Sequence, residues 1–122
     1  MAKRKLTSTN SINKENLVNF CGMIYAAEML GGRWKLIILY KLEKRSMRFS
    51  ELKKIIPGIT DRMLTLHLRE LEKDGLVERT AYAEVPPRVE YSLSESAMAL
   101  IPIWQELEHW GIAHKQRSLN PV

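Results

Sequence analysis

The chain has 122 residues, 45% of them hydrophobic and 27% charged, with a formal charge of +5. That length houses one modest core and not two. The composition excludes a fibre or a wholly disordered chain, and no apolar run nears the roughly 20 residues of a membrane span.

The charge is unevenly placed. Residues 33–56 hold eight basic against two acidic side chains, whereas residues 57–122 hold seven against ten. One region therefore attracts a polyanion such as nucleic acid or an anionic membrane face, unless it is only a solvated, lysine-rich helix face. Residues 1–20, with Lys3, Arg4 and Lys5 followed by Thr7, Ser8, Thr9, Asn10 and Ser11, read as a flexible basic tail. It shows no signal-type cleavage site, so a cytoplasmic protein is expected.

From about Gly22 to Leu30, the residues Met23, Ala26, Ala27 and Leu30 predict a short helix that Gly31 and Gly32 stop through a left-handed cap. Trp34, Ile37, Ile38 and Leu42 predict a second, with a basic flank of Arg33, Lys35, Lys41 and Lys44. Ser50 is the expected N-cap of a third, with Leu52, Ile55 and Ile56 inward and Pro57-Gly58 as its stop. Thr60 is the expected cap of a fourth, which buries Leu64, Leu68 and Leu71 and closes at Gly75. The period then changes to two. Leu76 to Arg79 starts one strand, and Val89, Tyr91 and Leu93 alternate with Arg88, Glu90 and Ser92 in another. Val85-Pro86-Pro87 belongs in the loop between them, because two prolines cannot donate to a ladder. Ser94 caps a last helix carrying Leu100, Ile103, Trp104, Leu107 and Trp110. Pro102 inside it would cost about 3 kcal/mol, so a kink or a second segment starting near Pro102 is expected.

Two short helices joined by Pro57-Gly58-Ile59-Thr60 form a helix-turn-helix, and the hairpin after them forms a wing. With Leu64, Leu68 and Leu71 inward, Arg62, Leu66, Arg69 and Lys73 fall on the opposite face of the fourth helix, beside Thr65. A merely solvated face has no use for Leu66. In a DNA major groove it can meet a thymine methyl while Arg62 or Arg69 reaches guanine edges or phosphates. Arg88, behind the prolines, would reach a minor groove or a phosphate, unless it pairs with Glu84 or Glu90. Arg48 and the start of the third helix suit phosphate. Lys53 and Lys54 are left as solvated charges.

Cys21, Gly31-Gly32-Arg33-Trp34-Lys35 with Ile38-Leu39, Arg48-Phe49-Ser50-Glu51-Leu52, Pro57-Gly58-Ile59, Leu68-Arg69-Glu70-Leu71-Glu72, Gly75-Leu76-Val77 and Val85-Pro86-Pro87-Arg88-Val89-Glu90-Tyr91-Ser92-Leu93 occur in this order. In this the chain resembles the HxlR-type winged helix-turn-helix transcriptional regulators of bacteria, which are MarR-like, over about Cys21 to Gly111. The resemblance implies a mainly helical α+β fold with a two-stranded wing and dimerisation helices at both ends. It also implies a homodimer that binds double-stranded DNA, at an imperfect palindrome, and controls transcription. The expected map is a tail at 1–20, the domain at 21–117 and a tail at 118–122. Within the domain the helix-turn-helix lies at about 50–74, the wing at about 76–93 and the dimerisation helix at about 95–117. Arg48, Thr60, Arg62, Thr65, Leu66, Arg69 and Arg88 are the expected DNA contacts. Leu100, Ile103, Trp104, Leu107 and Trp110 are the expected dimer contacts, being too many large apolar groups for one face of a terminal helix.

Cys21 is the lone cysteine. Relatives carry a thiol at this position that senses oxidants or electrophiles, but Gly22 replaces the proline that often follows it in the family, and an inert half-buried thiol fits equally well. His67, His109 and His114 show no metal-ligand spacing, no glycine-rich phosphate loop follows a strand, and no base is placed beside Cys21. No enzyme, metal or cofactor is therefore expected, and no membrane partner; an effector, if there is one, is unnamed by the sequence. The competing reading keeps the winged helix as a protein-interaction module without specific DNA binding.

Overall fold

The computed structural model describes residues 21–119, which divide between Gly32 and Arg33 into two compact units. The expected N-terminal tail lies outside the described residues. The first unit contains α1 (Gly22–Leu30), capped by Cys21, whose carbonyl accepts from the Tyr25 N–H at 3.0 Å. None of its residues is buried, and Met23 is 77% exposed. The helix stops as predicted but by a different device. Gly31 is extended, and a Cβ there would stand 2.9 Å from the Ala27 carbonyl oxygen; the left-handed residue is Gly32, at φ +89°.

The second unit contains α2 (Lys35–Lys41), α3 (Phe49–Ile55), α4 (Asp61–Lys73), β1 (Val77–Tyr82), β2 (Arg88–Leu93), α5 (Glu95–Met98) and α6 (Ile101–Leu119). Its core is built from Ile38, Leu39 and Leu42 of the α2 segment, Leu52 and Ile56 of the α3 segment, and Leu64, Leu68 and Leu71 of α4. Met47, Ile59, Leu76, Val77, Leu93, Ala97 and Trp104 complete it. Two details differ from the periodicity. Ile55 is 39% exposed because α3 makes barely two turns and only Leu52 of the helix proper is buried. Ser50 is not the cap: the helix starts at Phe49 with Arg48 in the cap position, and Glu51 folds back to accept the Arg48 N–H at 2.9 Å. That bond, and then Arg45 at 3.0 Å, hold the Glu51 carboxyl below its ordinary range.

Thr60 caps α4 as expected, its Oγ1 accepting the Met63 N–H at 3.1 Å. The far end closes as a Schellman motif, with Gly75 at φ +76°, its N–H on the Glu72 carbonyl at 3.1 Å and the Leu76 N–H on the Leu71 carbonyl at 2.9 Å. Leu76 then buries itself as the chain enters β1. The hairpin is antiparallel, pairing Val77 with Leu93 at its base and Tyr82 with Arg88 at its tip. The loop beyond exposes Val85 fully and contains a cis Val85-Pro86 bond. The sheet gains a bridge that no periodicity announces, since Met47 and Tyr91 exchange backbone hydrogen bonds of 2.9 and 2.8 Å. It anchors the wing to the segment between α2 and α3.

Ser94 joins three elements. Its Oγ donates to the Gly75 carbonyl at 2.7 Å and accepts the Ala97 N–H at 3.2 Å, capping the short α5. As Pro102 predicts, the terminal helix is two segments, and α6 restarts at Ile101 and runs to Leu119, into the expected C-terminal tail.

Candidate nucleic-acid interface

The sequence of α4 buries one stripe and leaves the other bare. Leu64, Leu68 and Leu71 are at most 2% exposed, while Arg62, Leu66, Arg69 and Lys73 are all exposed and Leu66 reaches 47%. Asp61, Arg62, Thr65, Leu66 and Arg69 line an open groove of about 490 Å³ along this face. Among the described residues, neither Arg62 nor Arg69 has an ion-pair or hydrogen-bond partner. Two unpaired guanidinium forks beside an exposed leucine form a surface whose donors and apolar contact match a major-groove edge. Thr60 sits at the helix start, exposed, with its oxygen used as the cap and its hydroxyl proton free to donate.

How α4 is held explains why this face is presented. Lys35, read as part of a basic flank, is instead 9% exposed, and its Nζ lies 3.1 Å from Glu70 Oε2. Glu70 also faces His67 Nδ1 at 3.5 Å, and that nitrogen is buried with no hydrogen-bond partner. A charge removed from water needs its partner, so Lys35 ties α2 to the inner side of α4 and belongs to the scaffold. The Trp34 ring lies beside the helix-turn-helix turn, 3.9 Å from where a Cβ on Gly58 would stand, with the Arg33 guanidinium 5.9 Å from its centroid.

The other expected contacts are placed differently from one another. The Arg48 side chain is exposed, but the Glu51 carboxylate already occupies the Arg48 amide at the start of α3, leaving the guanidinium as what Arg48 offers a phosphate. Arg88 takes the alternative the sequence left open. Its Nε and one terminal nitrogen donate to Glu84 at 3.1 and 3.0 Å, the other terminal nitrogen donates to Glu90 at 2.6 Å, and the guanidinium stacks 3.9 Å from the Tyr82 centroid. Glu84, the largest influence, raises its pKa further. Glu90 in turn accepts the Ser46 hydroxyl at 2.9 Å. Arg88 thus braces the wing, and it reaches a groove only by releasing these carboxylates.

On α6, Ile103, Leu107 and Trp110 are 49 to 63% exposed, whereas Trp104 is only 4% exposed; Leu100, in the turn before α6, is half-buried. The Trp104 indole donates to Glu43 Oε1 at 2.5 Å, so this residue fills its own chain's core and is not free for a second chain. His109 faces Glu106 at 3.8 Å and His114 stacks on Trp110, with centroids 4.8 Å apart. Among the described residues, none is long and apolar enough as a helix to cross a membrane.

Two helices joined by a tight turn, the second with a bare basic face, and a hairpin braced behind them define a winged helix-turn-helix protein. The model of the HxlR-like helix-turn-helix family matches residues 29–119, and the chain belongs to that family. It is 46% identical over 97 residues to YdeP of Bacillus subtilis, described as an uncharacterised HTH-type transcriptional regulator, covering 80% of this chain and 76% of that one. The redox regulator HypR in its reduced form superposes with a TM-score of 0.75 at 44% identity, over 78% of this chain and 94% of HypR. Reduced YodB from B. subtilis, a transcriptional regulator, superposes at 0.67 with 37% identity, over 75% of this chain and 90% of YodB. The chain is therefore a DNA-binding transcriptional regulator of the winged-helix type, a family not of enzymes in general.

Proposed function

We propose that the chain binds double-stranded DNA sequence-specifically as a homodimer, at an imperfect palindrome, with α4 in the major groove. The observation that carries this is the outward face of α4, where Arg62, Leu66 and Arg69 stand exposed and the two arginines have no partner among the described residues, while Lys35 and Arg88 are tied down. Thr60, Thr65 and Arg48 supply flanking contacts, and phosphate contacts fix register while Leu66 and one of the two arginines, Arg62 or Arg69, read bases. A gel-shift series with genomic fragments at several salt concentrations tests it. Affinity should fall steeply with salt and differ among fragments; a uniform, shallow response would favour the protein-interaction reading.

The dimer rests on the apolar surface of α6, where Ile103, Leu107 and Trp110 recur at i, i+4 and i+7 and are each about half exposed or more. Such a stripe on a domain this small calls for a partner, and a second copy supplies the same stripe by symmetry. Sedimentation at micromolar concentration should give about 28 kDa, twice the 14.2 kDa chain. A 14 kDa species would remove the dimer.

Cys21, half-buried at the cap of α1, is the proposed point of redox control. The support is likeness to HypR, solved in reduced and oxidised forms, and to YodB, solved after diamide treatment and with quinone bound. With one cysteine per chain, a disulfide made by diamide must join two chains. Diamide should change DNA affinity of the wild type and leave Cys21→Ser unaffected; equal responses would make the thiol structural.

A further inference from the structure

A second cleft, of about 410 Å³, opens between α4 and the wing, lined by Phe49, Thr65, Arg69, Glu72, Arg79 and Tyr91. Its construction follows from two registers. Thr65, Arg69 and Glu72 recur at i, i+4 and i+7 along one side of α4, and Arg79 stands directly opposite Tyr91 in the hairpin, so both side chains project from the same face of the ladder. Tyr91 is held by its backbone exchange with Met47, which fixes this wall relative to α3.

The charges here are left open. Among the described residues, neither Arg69 nor Arg79 has a carboxylate within 4.0 Å, although Arg45, Lys35, Lys53 and Arg88 all do. Glu72 lines the same cleft, so two guanidiniums face one carboxylate and the local charge is one positive unit.

We propose that this cleft seats one backbone phosphate of the bound duplex, with Arg79 and Arg69 as its cationic clamp and the Thr65 hydroxyl as a further donor. The inference rests on the DNA-binding reading above and adds to it a residue, Arg79, that the motif reading left unassigned. Two features select a DNA phosphodiester over a free anion. A single positive excess matches a phosphodiester's single charge better than a dianion. Thr65 and Arg69 also line the base-facing groove, so the seat is continuous with the surface that meets DNA. A phosphate held between α4 and the wing fixes the depth and tilt of the helix without reading a base.

The test compares wild type, Arg79→Gln, Arg79→Lys and Arg62→Ala. Each is titrated by fluorescence anisotropy at several salt concentrations against a duplex that wild type selects from a random pool and against a scrambled duplex. Arg79 is exposed on β1, and circular dichroism confirms that the variants fold. Arg79→Gln should weaken both duplexes by the same factor, about eightfold near 0.1 M salt, and lower the salt slope by about 0.9. Arg79→Lys should restore most of the slope. Unchanged affinity and slope in Arg79→Gln, with Arg62→Ala still impaired, would overturn the seat while leaving the DNA reading intact. Loss of preference for the selected duplex in Arg79→Gln would overturn it in favour of base contact. Thermal stabilisation of wild type but not Arg79→Gln by millimolar inorganic phosphate, with DNA binding unaltered, would assign the cleft to a free anion. A wild type that binds neither duplex would end both proposals.

Discussion

Leu64→Ala should lower the unfolding free energy by about 2 to 5 kcal/mol, read as an earlier urea midpoint and a melting temperature lower by about 10 °C or more. Leu64 is fully buried among the apolar side chains of the second unit, and truncation removes both its transfer free energy and the contacts of the atoms around the void. Leu66→Ala, two positions along the same helix, should change stability by no more than about 0.5 kcal/mol, because Leu66 is 47% exposed. Its loss should appear instead as weaker and less selective DNA binding. Equal stability costs for the two leucines would contradict the orientation of α4 on which the interface depends.

Arg62→Ala and Arg69→Ala should each weaken binding to a selected duplex, and whichever meets a guanine should cost about 1 to 3 kcal/mol and relax preference at one base position. Their guanidiniums have no intramolecular partner among the described residues, so nothing in the protein need be given up when DNA is bound. Arg88→Ala should behave differently. It removes three hydrogen bonds and the contact over Tyr82, leaving Glu84 and Glu90 facing one another's charge, so the first effect is a looser wing. Competition binding with single-base variants of the selected duplex separates these outcomes. Retention of full selectivity by both Arg62→Ala and Arg69→Ala would place base reading elsewhere.

Dimer formation adds a geometric constraint to these substitutions. If two copies meet through α6, their recognition helices must span half-sites about one helical turn apart or a multiple of it. Small changes at the ends of the chain would then alter that spacing against a fixed DNA repeat.

Local signals were legible in the amino-acid order because their physics is local. The leucine stripe of α4, the Thr60 and Ser94 caps, the Gly75 closure, the break before Pro102 and the double-proline loop each depend on residues within a turn or two. The order of those elements, with the motifs between them, was enough to point to a winged helix-turn-helix. The cap of α3 falls at Arg48 and not at Ser50 for a related reason: serine is the better intrinsic cap, but Glu51 reaching back to the Arg48 amide, and Arg45 holding Glu51, favour an earlier start.

What the order of residues determined by itself was therefore the set of elements and the bare face of α4. Which charges are free to meet DNA was decided by the tertiary structure. Lys35 and Glu70 are far apart in sequence yet 3.1 Å apart in space, Arg88 is consumed by two carboxylates, Trp104 turns inward to Glu43, and Arg79 is brought opposite Arg69 only when the hairpin packs beside α4. An ionisable side chain has the same intrinsic charge wherever it stands in the sequence, but its availability depends on desolvation and on the nearest opposite charge, and both are set by packing between elements.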